Sequence, residues 1–136
     1  MSDPVVEVAV FTPLDTTLHY LVPSDLRPIP RAGTRVIVPL GHREVMGMVL
    51  NTGVSTHEDT ARLGMRPILA VPDRHPIMPD ELLDLCRWIS SYYFYPLGEV
   101  IKAALPTPVV AKPMIGYRLT PAGEQACQST STSAVL

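Results

Sequence analysis

The sequence predicts a mainly β domain, a small barrel or sandwich, with helices at its carboxyl end. Three observations carry that prediction. Short runs rich in Val, Ile, Leu and Tyr alternate with Pro and Gly between residues 5 and 55. Fifteen Pro imply many short elements divided by turns, because Pro is kept out of helix interiors and central strands. At Pro79 the apolar spacing changes to a helical one.

The elements follow in order. Val5 to Val10 is the first strand and Leu18 to Val22 the second. Arg35 to Val38 is the third, ended by Pro39. Val45 to Asn51 is the fourth, and Gly47 inside it signals a bulge or a close backbone approach. Residues 52–64 read as a polar loop. Pro67 to Val71 is a short fifth strand, entered through Arg66, whose backbone the following Pro pushes toward the extended region.

Pro79 suits a first helical position, and Asp80 and Glu81 complement the positive end of the helix dipole. Leu82, Leu85, Cys86, Ile89 and Tyr93 recur at helical spacing, so the helix runs to about Phe94. Pro96 starts a shorter helix with Val100, Ile101 and Ala104 on its apolar side, and Pro106 stops it. The run Tyr92-Tyr93-Phe94-Tyr95 suits base stacking in chemistry. The expectation is plainer: Trp88, Tyr92 and Tyr93 pack the helix against the sheet. Residues 107–136 read as a Pro-rich linker, then a short segment from Tyr117 to Glu124, then a Ser/Thr tail that is disordered by composition.

Length favours one domain with a tail and a core of useful size. The net charge is −2, which argues against a broad phosphate-binding surface. The distribution says more. Residues 1–26 hold four acidic residues and no Lys or Arg, whereas residues 27–66 hold six Arg against three acidic residues. A modest basic face follows, unless those Arg are solvated strand edges. Cys86 and Cys127 make neither a disulfide framework nor a metal site. No apolar run approaches the roughly 18–20 residues that span a membrane. Met1 to Pro4 lacks the start of a signal peptide, so the cytoplasm is the expected compartment.

Enzyme chemistry has little support. Neither phosphate-cradling glycine motif is present. His19, His42, His57 and His75 have no zinc-like spacing, and no nucleophile motif accompanies them. No cofactor is expected. What remains is a small ligand pocket. Gly41 lets a ligand approach the backbone, or only permits a turn. His19 faces opposite to Leu18 and Tyr20; it hydrogen-bonds a sugar hydroxyl or sits in solvent. Arg66 holds a phosphate or decorates a loop. Arg35 and Arg43 are further candidate phosphate contacts.

The order of the motifs narrows the choice. Pro13-Leu14 and Leu18 to Pro23 are followed by Gly33-Thr34-Arg35-Val36-Ile37-Val38-Pro39-Leu40-Gly41 and Gly47-Met48-Val49. Arg66-Pro67-Ile68, Val71-Pro72-Asp73 and Trp88-Ile89-Ser90-Ser91-Tyr92-Tyr93 come next. Pro96 to Ile101 and Ala104-Leu105-Pro106 complete the series. Over residues 5–106 this resembles the 3′-DNA-binding domain of primosomal protein N′, the replication-restart helicase PriA. The resemblance implies an OB-fold-like barrel with two helices in residues 1–106. It implies non-covalent recognition of the 3′ end of a nascent strand at a stalled fork. Leu18-His19-Tyr20 matches the family's Phe-Asp-Tyr, Gly41 its pocket glycine, and Arg66 a basic residue. Two departures stand out. His19 replaces the carboxylate that accepts from the 3′-hydroxyl, and Leu18 replaces an aromatic that stacks on the base.

The tail from Tyr117 resembles the truncated start of a winged helix. The chain is therefore expected to be an N-terminal piece of a longer, ATP-dependent 3′-to-5′ helicase, itself binding DNA without hydrolysing ATP. DNA, in forked or single-stranded form, is the expected partner, and a membrane is not. The competing expectation is a protein-interaction barrel that docks on single-stranded-DNA-binding protein or other primosome subunits. Insensitivity to salt would mark that alternative, because phosphate contacts are salt-sensitive.

Overall fold

Valine dominates the first strand, and both of its faces are covered. The computed structural model describes residues 3–53, 64–110 and 116–133. Strands β1 (Val5–Val10), β2 (Leu18–Leu21), β3 (Arg35–Leu40) and β4 (Arg43–Thr52) form one antiparallel sheet in the order β2-β1-β4-β3. Period-two alternation sorts their side chains. Val6, Val8 and Val10 join Tyr20, Val22, Val36, Val38, Val49 and Ile68 in one buried cluster. Ala9, Met46, Met48 and Leu50 point to the other face, where Met78, Leu83, Cys86 and Ile101 cover them.

The expected fifth strand takes a different form. Residues 66–70 make isolated bridges instead of a continuous strand, and they reach both sheet edges. Leu21 N–H donates to the Arg66 carbonyl (3.1 Å) and Ile68 N–H to that of Leu21 (2.9 Å). Leu69 N–H then donates to the Ile37 carbonyl (2.8 Å), and Ile37 N–H to that of Ala70 (2.9 Å). One segment thus ties edge strand β2 to edge strand β3 and closes a small OB-like barrel around the valine cluster. Closure also removes the exposed edges that would invite pairing with other chains.

Two local expectations need adjustment. Pro39 does not end β3; it pairs with Glu44 inside the hairpin. β3 is an outer strand of the ladder, where a missing N–H is tolerated. The register shift expected near Gly47 falls between Glu7 and Val8, opposite residues 49–51. Gly47 instead meets the close approach: a Cβ there would stand 2.6 Å from Val8 Cγ1. Of the polar loop, residues 54–63 lie outside the described residues.

Helix α1 (Asp80–Tyr93) follows Pro79, which is its N-cap and not its first residue, and it ends on Phe94 in the left-handed region. Helix α2 (Leu97–Ala104) follows Pro96. Gly98 fixes its place, because a Cβ there would lie 1.7 Å from the Val10 carbonyl oxygen. Backbone contact with β1 is possible only without a side chain. That docking gives α2 the side of the sheet expected for the aromatics of α1. Leu83 and Cys86 are buried, while Trp88, Tyr92 and Tyr93 stay largely exposed. Beyond them lie a four-residue helix α3 (Thr107–Val110) and helix α4 (Pro121–Ser133). The Thr120 hydroxyl caps α4 by accepting from Gly123 N–H (3.2 Å). α4 takes in Ser129 to Ser133, a run that composition alone reads as disordered.

Candidate functional site

The β3–β4 hairpin turns on two residues, Gly41 and His42, between the paired Leu40 and Arg43. Gly41 has φ +61° and His42 is not in the positive-φ region, the sign pattern of a type II′ turn. A Cβ on Gly41 would meet nothing within 4 Å, so backbone conformation and not crowding demands glycine here. The Gly41 carbonyl is engaged: Arg66 Nη1 donates to it at 2.7 Å. Tyr20 is buried in the barrel, and its hydroxyl donates to the Pro39 carbonyl at 2.9 Å. Burial pushes the Tyr20 hydroxyl above its ordinary value, and the nearby Arg66 offsets part of that rise.

These contacts form a ring at one end of the barrel. β2 holds Pro39 through Tyr20, Pro39 leads to Gly41, Gly41 holds Arg66, and the Arg66 backbone returns to β2 at Leu21. Tyr20, Gly41 and Arg66 are therefore brought together. Arg43 stands beside them, exposed, directly after the turn. Leu18 is half-buried against the barrel core on the Tyr20 side.

His19 is not part of that ring. It is exposed and pairs in register with Glu7, on the strand face opposite Tyr20. Glu7 accepts from the Thr17 hydroxyl (2.7 Å) and from Asn51 Nδ2 (2.6 Å). Burial alone would raise the Glu7 carboxyl. The hydrogen bonds from Thr17 and Asn51, with the charges of His19 and Arg87, outweigh it and bring the carboxyl below its ordinary value.

Arg35 is used in the structure of the barrel, and the phosphate contact expected of it gives way to that role. Its Nε and Nη2 donate to the Asp73 carboxylate at 2.8 and 2.6 Å, and Nη1 donates to the Val109 carbonyl. Only 16% of the Arg35 side chain and 10% of that of Asp73 are exposed. The Asp73 hydrogen bond pushes the guanidinium still higher. A paired and half-buried guanidinium is poorly placed to take a phosphate.

One feature reverses the core packing expected from the sequence, and one lay beyond that reading. The first is the exposed aromatic surface of α1. Trp88 stacks on Tyr92 at 5.0 Å, Tyr92 meets Tyr93 edge-on at 4.9 Å, and Phe94 is 92% exposed. The second is a cleft of about 690 Å³ at the end of the barrel away from Gly41, lined by Arg27, Arg31 and Arg74 among others. The count of Arg in residues 27–66 was its only sequence signal, and Arg74 fell outside that window. Among the described residues no cluster of His, Cys, Asp and Glu could hold a metal, and no helix is long and apolar enough to cross a membrane.

The family described as the 3′DNA-binding domain (3′BD) matches residues 7–106. The replication restart protein PriA of Chlamydia pneumoniae is 35% identical over 115 residues, which cover 83% of this chain and 15% of that protein. The PriA of Rickettsia conorii is 34% identical over 110 residues, covering 79% and 15%. The PriA of Haemophilus influenzae is 30% identical over 128 residues, covering 90% and 17%. The chain thus spans about one-sixth of the length of these relatives. With its closed barrel, its two packed helices and this match, the chain belongs to the 3′-DNA-binding domain family of the replication restart protein PriA.

Proposed function

We propose that this chain binds the 3′ end of a nascent DNA strand, as the end-recognition module of a replication-restart protein. The family match over residues 7–106 carries the reading. The ring of Tyr20, Pro39, Gly41 and Arg66 supports it physically. Gly41, which has no side chain, lets a nucleotide approach the backbone of the turn, and two exposed guanidinium groups, Arg43 and Arg66, stand ready for its phosphate. Tyr20 acts through Pro39 as a positioning residue. Leu18 supplies apolar surface beside the ring in place of a stacking aromatic. His19, across from Glu7, stays outside this reading. Discrimination of the 3′-hydroxyl therefore rests on the Gly41 turn and should be modest.

The longer protein to which such a domain belongs would be an ATP-dependent helicase that reloads the replication machinery in the cytoplasm; this domain needs no cofactor for its part. Docking on single-stranded-DNA-binding protein or another primosome subunit takes second place. The exposed Trp88, Tyr92 and Phe94 favour it, since such patches mark contact surfaces.

Fluorescence anisotropy with labelled single strands ending in 3′-hydroxyl or 3′-phosphate, at two salt concentrations, tests the main reading. Tighter binding of the hydroxyl end, weakening as salt rises, is the expected outcome. Equal binding of both ends would remove end recognition. Partner binding that salt does not weaken would move the docking reading to first place.

A further inference from the structure

We infer that the cleft between Arg31 and Arg74 is a second DNA contact, which holds phosphodiester groups upstream of the strand's 3′-terminal nucleotide. The inference rests on the DNA-end reading above and extends it to a surface at the other end of β3.

The segment from Arg66 to Asp73 lies antiparallel beside β3. Arg66 meets Gly41 at one end, Leu69 and Ala70 bond Ile37 in the middle, and Asp73 meets Arg35 at the other end. Arg74 follows immediately and enters the cleft together with Arg31, Arg27 and Thr34. The two cationic ends are thus joined by a single stretch of backbone. From Arg35 to Leu40 the strand rises by about 17 Å. That is about five nucleotides at the B-form spacing of roughly 3.4 Å per nucleotide along one strand.

Charge favours an anion in the cleft. Arg31 and Arg74 are exposed, with no carboxylate partner among the described residues. The opposing acids are Asp25, Asp73 and, near Arg27 at 3.9 Å, Asp3. Asp73 is neutralised by Arg35, whose guanidinium donates two hydrogen bonds to it. The Arg35 guanidinium thus contributes indirectly, since it leaves Arg31 and Arg74 opposed chiefly by Asp25. His75 lines the same cleft.

The test uses strand length. Wild type and Arg31→Ala/Arg74→Ala are titrated, by anisotropy in a salt series, with a 3′-hydroxyl dinucleotide and with a strand of about twelve nucleotides, long enough to reach the cleft. The double variant should bind the dinucleotide like wild type and the longer strand about tenfold more weakly. Its log–log salt slope on the longer strand should fall by about 1.4, the share of two phosphate contacts on a single strand. Arg31→Lys/Arg74→Lys should restore most of the loss. Asp25→Asn should tighten the longer complex, a gain that misfolding cannot imitate. If wild type binds both strands but the double variant keeps full affinity and slope, and Asp25→Asn gains nothing, the cleft is no DNA contact while the end site stands. If wild type binds neither strand, the end reading fails and this inference with it.

Discussion

Arg35 and Arg66 are the same residue type at the two ends of one barrel wall, with opposite surroundings. Arg35 is half-buried, donates to both oxygens of Asp73 and also reaches Val109. Arg66 is exposed, and among the described residues its side chain donates to a carbonyl, that of Gly41. A guanidinium facing a carboxylate in a partly dry site is an architectural tie. A guanidinium facing a carbonyl keeps its whole charge and most of its donors for a ligand. The partner, and not the residue type, separates the structural arginine from the one proposed for recognition.

Breaking the structural end should have the largest effect. Asp73→Ala leaves the Arg35 charge half-buried and unpaired, at a cost of about 2–3 kcal/mol of stability. Urea unfolding should show a lower midpoint, while the preference for a 3′-hydroxyl end is retained in the folded variant. A loss below about 0.5 kcal/mol, the scatter of ordinary surface changes, would remove the distinction between the two arginines.

The recognition end should behave conversely. Arg66→Ala should weaken binding of a 3′-ended strand by about 10–100-fold, the range for a charge-assisted hydrogen bond. Its stability should move by less than about 1 kcal/mol, since an exposed hydrogen bond to a carbonyl contributes little net. Anisotropy and urea unfolding on the same preparation would check both halves. Unchanged affinity would make Arg66 a brace for the turn and nothing more.

The smallest effect belongs to Glu7, on the face where His19 sits. Its carboxyl is held below the ordinary value of 4.5, so the folded state favours the charged form. Its stabilising contribution is complete above that ordinary value and is lost as pH falls through the lower folded value. The stability difference between wild type and Glu7→Gln should therefore be constant at neutral pH and shrink in acid. A difference that grows in acid would mean that burial, and not the Thr17 and Asn51 hydrogen bonds, controls this carboxyl.

Much of the fold was legible. Alternating valines marked β1, and Pro79 and Pro96 marked the helix starts within one residue. The Gly41 turn was readable from Pro39-Leu40-Gly41-His42. Other parts were not. The aromatic run looked like core because helical periodicity reports a stripe without its direction. Gly98 against Val10 decided that direction, and it left Trp88 and Tyr92 outside. The role of Arg35 was hidden for a similar reason, since Asp73 lies 38 residues away along the chain.

The sequence alone determined the local elements and the family motifs, because turn chemistry, strand alternation and helix periodicity act between near neighbours. The tertiary structure decided how residues 66–70 close the barrel, which arginine is paired, and that Tyr20, Gly41 and Arg66 meet at one end of it. Those outcomes depend on contacts between segments far apart in the chain, and no local pattern of side chains encodes the partner that folding brings.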